Sequence, residues 1–254
     1  MKKNLNRVAG VFFASLLLSL LLAACDGGQQ QPQAPSKGNI FIFRLSNPDE
    51  ALNSLIQETN PEDWAAYQNT SADIPASADR EVICYHIGVK SANALLSVFL
   101  EDYETAEGIA QSIKKAADQL NIRSDEIETI AKQLVEDLEE KDEQAKAVKV
   151  KQTLNMLKDE VISVLNDIGN EAEAVMIEYG AWIDALRQTS SIIADGYSEK
   201  AASALLRSGE AEYFKRNFAS FNLHSPGERY KSMLDAASQL RELMIPDAGN
   251  SLSL

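Results

Sequence analysis

Cysteine and histidine are nearly missing from this chain. Cys25, Cys84, His86 and His224 are the whole supply in 254 residues. Cys25 closes an apolar leader, which leaves Cys84 alone. No intramolecular disulfide is then available, and the fold must rest on its hydrophobic core. Cys84 lies in an apolar stretch and is expected to be a buried, inert thiol. His-Glu-x-x-His, Cys-x-x-Cys, Gly-x-Ser-x-Gly and a phosphate-binding Gly-rich loop are all absent from the sequence. There is no Glu-x-x-His for a di-iron bundle and no EF-hand loop for calcium. No metal, cofactor or catalytic residue is therefore expected. Positive charge is scarce as well: 24 Lys and Arg stand against 38 Asp and Glu, a net charge of −14. Nucleic-acid binding needs basic patches, so that class is excluded. Strict period-two alternation is missing too, and no sheet is expected.

The N-terminus carries an address. Lys2, Lys3 and Arg7 precede an apolar run from Val8 to Leu22, which ends in Leu22-Ala23-Ala24-Cys25. A charged start, a short apolar run and small residues read as a secretory signal covering 1–24. The run is short for a membrane span. Its ending resembles the lipobox of bacterial lipoproteins, in which the Cys25 thiol accepts a diacylglyceryl group. Each buried CH₂ contributes about 0.8 kcal/mol, and one chain anchors only marginally. Two or three chains, palmitate among them, would hold the protein permanently on a membrane of the cell envelope, inner or outer. Removing Lys2, Lys3 and Arg7 leaves 21 basic against 38 acidic residues, a balance of −17. Such a domain is not expected to lie flat on anionic lipid.

Residues 25–39 are rich in Gly, Gln and Pro and read as a disordered, lipidated tether. An all-α bundle of about six to eight helices is expected over 40–246, with a disordered tail at 247–254. Ile40–Phe43 reads as an extended piece. Asn47-Pro48 and Asn60-Pro61 open short helices, with Asn at the cap and Pro at the first position. Residues Thr70–Ser77 read as loop. Long helices are expected at about Asp79–Asp102, Glu104–Leu120, Ser124–Glu139, Glu143–Asp167 and Asn170–Ala194. Shorter ones are expected at Ser198–Arg207, Glu210–Ser220 and Glu228–Met244. Glu136–Glu143 is a charge run, expected to be a solvated junction.

The helix from Asp79 is apolar nearly all round, so other helices should surround it. Gly88 and Gly180 lie inside helices, where each costs about 1 kcal/mol against Ala. Close crossing of the two helices would offset that cost. Similar offsets of Ala-Leu pairs and tyrosines after the two glycines hint at an internal repeat. His86 and Asn93 share a stripe two turns apart, and Asp184 lies one turn beyond Gly180 near Trp182. If the helices cross, His86, Asn93, Trp182 and Asp184 converge as a ligand pocket. The competing reading makes each a satisfied core group, with Asp184 pairing with Arg187. Helical spacing equally suits Trp182, Tyr179 and Tyr85 to plain packing. His224, beside Ser225-Pro226-Gly227, reads as a loop residue.

Ile87-Gly88-Val89-Lys90-Ser91-Ala92-Asn93 resembles a Leu-Gly-Val-Tyr-x-Ala-Asp signature, and Gly180-Ala181-Trp182-Ile183-Asp184-Ala185-Leu186 resembles Gly-Gly-Trp-Ile-Glu-Gly-Leu. Both belong to a family of uncharacterised helical bacterial lipoproteins that also begin with a signal and a lipobox. The likeness runs from about Phe43 to Asp195. It implies an all-helical lipoprotein and no particular activity. Asn93 stands where the family has Asp, and Lys90 where it has Tyr. The function expected is that of a non-catalytic, membrane-tethered binding or scaffold protein. Its partners would be the membrane, through lipid on Cys25, and an envelope protein. The alternative is a small-ligand carrier or sensor with a pocket between the two Gly-containing helices.

Overall fold

The computed structural model describes Leu52, Leu55 and residues 61–71, 73–75, 79–198, 202, 205, 208–224 and 227–245. The chain divides into two units, Met1–Ile40 and Phe41–Leu254, and every described residue lies in the second. The signal, the tether, the extended piece and the tail fall outside the described residues. So does most of the helix expected at Ser198–Arg207.

Seven α-helices and no strand occur among the described residues: α1 Arg80–Phe99, α2 Tyr103–Gln119, α3 Asp125–Leu138, α4 Glu143–Asp167, α5 Glu171–Asp195, α6 Ser208–His224 and α7 Glu228–Met244. The all-α bundle expected from the periodicity is what the chain forms. Capping side chains set the helix starts. Asp79, Asp102, Ser124 and Asp142 each accept a backbone N–H from the first turn of the helix they precede. Three helices end alike. Glu101, Asn121 and Gly169 take positive φ, and the next amide bonds back to Ser97, Ala117 and Leu165 respectively, at 2.8–2.9 Å. That bond and the left-handed residue close the orphan carbonyls of the last turn.

Two expectations need correction. The segment opened by Asn60-Pro61 is a single 3₁₀ piece, Pro61–Tyr67, too short to propagate as an α-helix. His224 is the last residue of α6, its ring on the Ser220 carbonyl. Helical hydrogen bonding continues to His224, past the Ser220 at which the helix is expected to stop.

α1 is the central element. It packs on α5, α2 and α4; α3 covers α4, and α6 and α7 form a hairpin that meets α5. Residues Ile83 to Val98 of α1 are buried almost without break. It is the one described helix long and apolar enough to cross a membrane, yet 72% of that window is buried inside the fold. Lys90, Asn93 and Ser97 within it make it a poor span and a good core helix. Cys84 is fully buried, and burial pushes its thiol pKa up to about 12. This is the inert thiol expected.

α1 and α5 meet backbone to backbone. A Cβ on Gly88 would stand 2.7 Å from the Ala181 nitrogen, with the Ile177 carbonyl oxygen closer still. One on Gly180 would stand 3.0 Å from the Tyr85 carbonyl carbon, with the Tyr85 oxygen closer still. Only glycine fits at either place. The contact is reciprocal: Gly88 faces Ile177 and Ala181, and Gly180 faces Tyr85 and Val89. Adding 92 to each number of one set gives the other, and the Arg80–Glu173 and Asn93–Asp184 contacts on either side keep nearly the same offset, so the two helices run parallel in a pseudo-two-fold pair. The two glycines thus occupy equivalent places in the crossing.

Gly88→Ala and Gly180→Ala gain about 1 kcal/mol of helix propensity. Each must also push two backbones apart, at the upper end of the roughly 1–3 kcal/mol typical of overpacking. Each variant is expected to lose about 2 kcal/mol of stability in urea titrations. Wild-type stability in either would show that the crossing is not rigid.

Candidate functional site

The polar residues of α1 and α5 gather one turn beyond the glycine contact. Asn93 Nδ2 donates to Asp184 Oδ2 at 2.5 Å and to its own helix at the Val89 carbonyl at 2.9 Å. Gln188 Nε2 donates to the same Asp184 oxygen at 2.7 Å, and Arg187 Nε to Asp184 Oδ1 at 2.7 Å. Asn93 and Gln188 are fully buried, and Asp184 is 6% exposed. A carboxylate buried this deeply needs donors of this kind, because leaving it unpaired costs several kcal/mol.

Residues Tyr67–Ser71 lie across this seam as a strap. The Asn69 amide donates to Asn93 Oδ1 at 3.0 Å, and Arg187 Nη2 donates to the Tyr67 carbonyl at 3.3 Å. Lys90 Nζ donates to the Ser71 carbonyl. Gln68 Nε2 donates to Ser97 Oγ at 3.0 Å and to Asp102 Oδ2 at 2.8 Å. The Tyr67 hydroxyl donates to Asp195. Lys90 is only 3% exposed. Burial holds its pKa below the ordinary lysine value, an effect opposed by Asp184 and Asp73.

Of the four residues proposed from sequence, the structure joins two. Asn93 and Asp184 are directly bonded, and the pairing of Asp184 with Arg187 is present as expected. His86 lies a turn before Lys90, its ring edge-on to Tyr85 at 5.5 Å. Burial and then Lys90 lower its pKa, so its neutral form is favoured. Trp182 turns to the other side of α5. Its Nε1 donates to the buried Glu210 of α6 at 2.6 Å, and its ring packs on Phe214 at 5.0 Å. Tyr179 adds T-shaped contacts to Phe214 and Phe218 at 5.2 and 4.9 Å. Trp182 is thus a packing residue that fastens α6 to α5. At the crossing itself the touching backbones leave no room for a ligand.

Sequence reasoning misses Lys90, Gln188 and the strap. Lys90, Asn93 and Ser97 repeat at helical spacing on an apolar helix, and Gln188 lies four residues beyond Asp184. Those intervals are a usable signal. The strap has none, because three of its six described bonds to the helices come from its main chain, which carries no pattern.

Other polar features are structural. Arg80 grips Glu173 with two nitrogens at 2.7 and 2.8 Å and gives a third bond to the Leu120 carbonyl at 2.7 Å. Arg229 reaches Asp79 and Glu81, and Tyr230 reaches Glu81, tying α7 to the start of α1. The charge run Glu136–Glu143 holds one surprise. Asp137 is buried and takes the Thr153 hydroxyl at 2.5 Å, so it is a tie between α3 and α4 and not a solvated charge. A cleft of about 50 Å³ opens between α2, α3 and α4, lined by Ala110, Ile130, Leu134 and Leu157 among others. No group of three or more His, Cys, Asp or Glu that could hold a metal ion occurs among the described residues. Comparison of the chain with family models, curated proteins and solved structures found no match.

Three donors occupy both carboxylate oxygens of Asp184. Its removal is a test of structure. Asp184→Ala strands Asn93, Gln188 and Arg187 together, and is expected to cost about 3 kcal/mol. An unchanged urea midpoint would show that the seam contributes nothing to stability.

Glu178 gives a pH-dependent case. It accepts the Tyr213 hydroxyl at 2.6 Å, and burial raises its pKa above the ordinary 4.5, against the pull of Tyr213 and Lys158. An acid raised in the folded state holds its proton more tightly there than in the unfolded chain. Its contribution is therefore complete below pH 4.5 and is lost as pH rises through the folded value. Glu178→Gln keeps an acceptor for Tyr213 and removes the charge. Its stability relative to wild type should grow as the pH is raised from the acid side through the folded value to neutrality. A difference that stays flat with pH would rule this account out.

Proposed function

We propose that the chain is a bacterial envelope lipoprotein, held on a membrane by lipid on Cys25, whose helical domain works by binding a partner and not by catalysis. The observation that carries the anchor is the run Leu22-Ala23-Ala24-Cys25 behind three positive charges and an apolar stretch. The Gly- and Gln-rich residues after Cys25 suit a tether. The likeness of the Gly88 and Gly180 segments to helical lipoproteins agrees with it. The binding role is supported by how the polar core is used. Asp184, the buried acid of the seam, is tied by three donors, and Trp182 and Glu210 fasten two helices together. The carrier reading would require the strap to lift, since the crossing beneath it is closed.

The anchor is tested by expressing the full chain in a bacterium with an alkyne-tagged palmitate. The wild type should carry the label, and Cys25→Ser should carry none and accumulate at precursor mass. Mass spectrometry should place the new N-terminus at Cys25. An unlabelled wild-type protein, or a mature N-terminus elsewhere, would overturn the lipoprotein reading.

A further inference from the structure

The strap is held as a peptide ligand would be held. Its anchored main-chain groups are the Tyr67 carbonyl, the Asn69 amide and the Ser71 carbonyl, taken by Arg187, Asn93 and Lys90. These are alternate residues of a segment that leaves the 3₁₀ piece at Tyr67 and turns at Asn69, whose Oδ1 accepts the Ser71 amide at 3.2 Å. None of the three bonds uses a strap side chain, so this recognition tolerates other sequences. The side chain of Gln68 adds a selective contact, its amide on Ser97 and Asp102. The receiving groups sit on two helices locked by the glycine crossing, so they are positioned before anything binds. Burying an ammonium merely to fasten one loop carbonyl is costly. The seam also has unused capacity: Gln188 Oε1 and Thr189 Oγ1, on side chains no more than 2% exposed, have no hydrogen-bond partner.

We propose that the α1/α5 seam is a groove for a polypeptide main chain, filled at rest by the chain's own Tyr67–Ser71, and that a segment of a partner protein, uncharged, turned as the strap is and with glutamine at the Gln68 place, takes the strap's position. The proposal rests on the binding reading above and names the partner's chemistry. Arg187 and Lys90 hold carbonyls, Asn93 holds an amide, and Ser97 with Asp102 select the glutamine. The partner gains what the strap gives up, so exchange depends on the strap being weakly tethered.

The probe is a fluorescein-labelled peptide of residues 65–72, titrated by anisotropy into the full chain in mild detergent. In the wild type the attached strap competes at high effective concentration. Asn69→Pro removes the donor to Asn93 from the strap and should bind the peptide at least tenfold more tightly than wild type. Adding Arg187→Gln or Lys90→Met to it should weaken binding at least fivefold. Circular dichroism checks folding. If Asn69→Pro is unfolded, Gln68→Ala, which loses only the two Gln68 bonds, is used in its place with the same expected direction. Two results would overturn the groove: no saturable binding to a folded strap variant, or binding indifferent to Arg187→Gln and Lys90→Met. A failed titration with Cys25 labelling intact removes the groove alone. Lost labelling with the titration intact removes the anchor alone.

Discussion

The contact between the backbones of α1 and α5 at Gly88 and Gly180 governs the rest of the structure. Two helices this close admit almost no sliding, because each glycine is seated on one carbonyl of the other helix. Parallel direction then fixes the pairing along their whole length. Arg80 meets Glu173 near the starts, Asn93 meets Asp184 beyond the glycines, and Leu96 joins Ile192 and Ile193 near the ends. Parallel packing also places two helix N-termini side by side, which is unfavourable because both carry positive partial charge. Glu81, Glu171 and Glu173 occupy those first turns and offset it. Arg80 would add to the repulsion, but its guanidinium is engaged by Glu173 and by the carbonyl of Leu120 at the end of α2.

The same rigidity makes the polar seam tolerable. A buried carboxylate is stable only if its donors are already in place, and a mobile crossing would let them drift. Here Asn93 and Gln188 reach Asp184 from helices that cannot shift. The strap closes the remaining side and brings Lys90 a carbonyl to hold. Trp182 on the opposite face has a different role. With Tyr179 it gives α6 an aromatic surface, and the Glu210 and Tyr213 bonds fix which way α6 lies.

Much of this is legible in the sequence. Asp79 and Ser124 mark helix starts, and glycines inside helices mark a crossing; the caps Asp102 and Asp142 are less plain, the one read as a helix end and the other lying inside a charge run. Both depend on chemistry local to the chain, which pattern reading captures well. Which side of α5 carries Trp182 is harder to read. Trp182 and Asp184 are two apart, about 200° around a helix, so they face different neighbours and one pocket does not take both. Lys90 escapes notice because lysine inside a core reads as an error until the carbonyl that receives it is known, and that carbonyl comes from a loop with no sequence pattern. Asp137 is hidden for a similar reason. A single buried carboxylate looks like its solvated neighbours until Thr153, sixteen residues away, is seen to face it.

The strap bears on what kind of protein this is. A catalytic acid or base must keep a lone pair or proton free to exchange with substrate. In the seam both oxygens of Asp184 are taken, and the neighbouring cations are engaged with carbonyls or with Asp184 itself. Each of those bonds to the strap, however, is one that another main chain can supply equally well, because the receiving groups read carbonyls and amides and not side chains. Exchange of one peptide segment for another would leave the buried charges paired both before and after. The bonds that occupy Asp184 and its neighbouring cations are therefore the ones on which the proposed exchange of peptide segments rests.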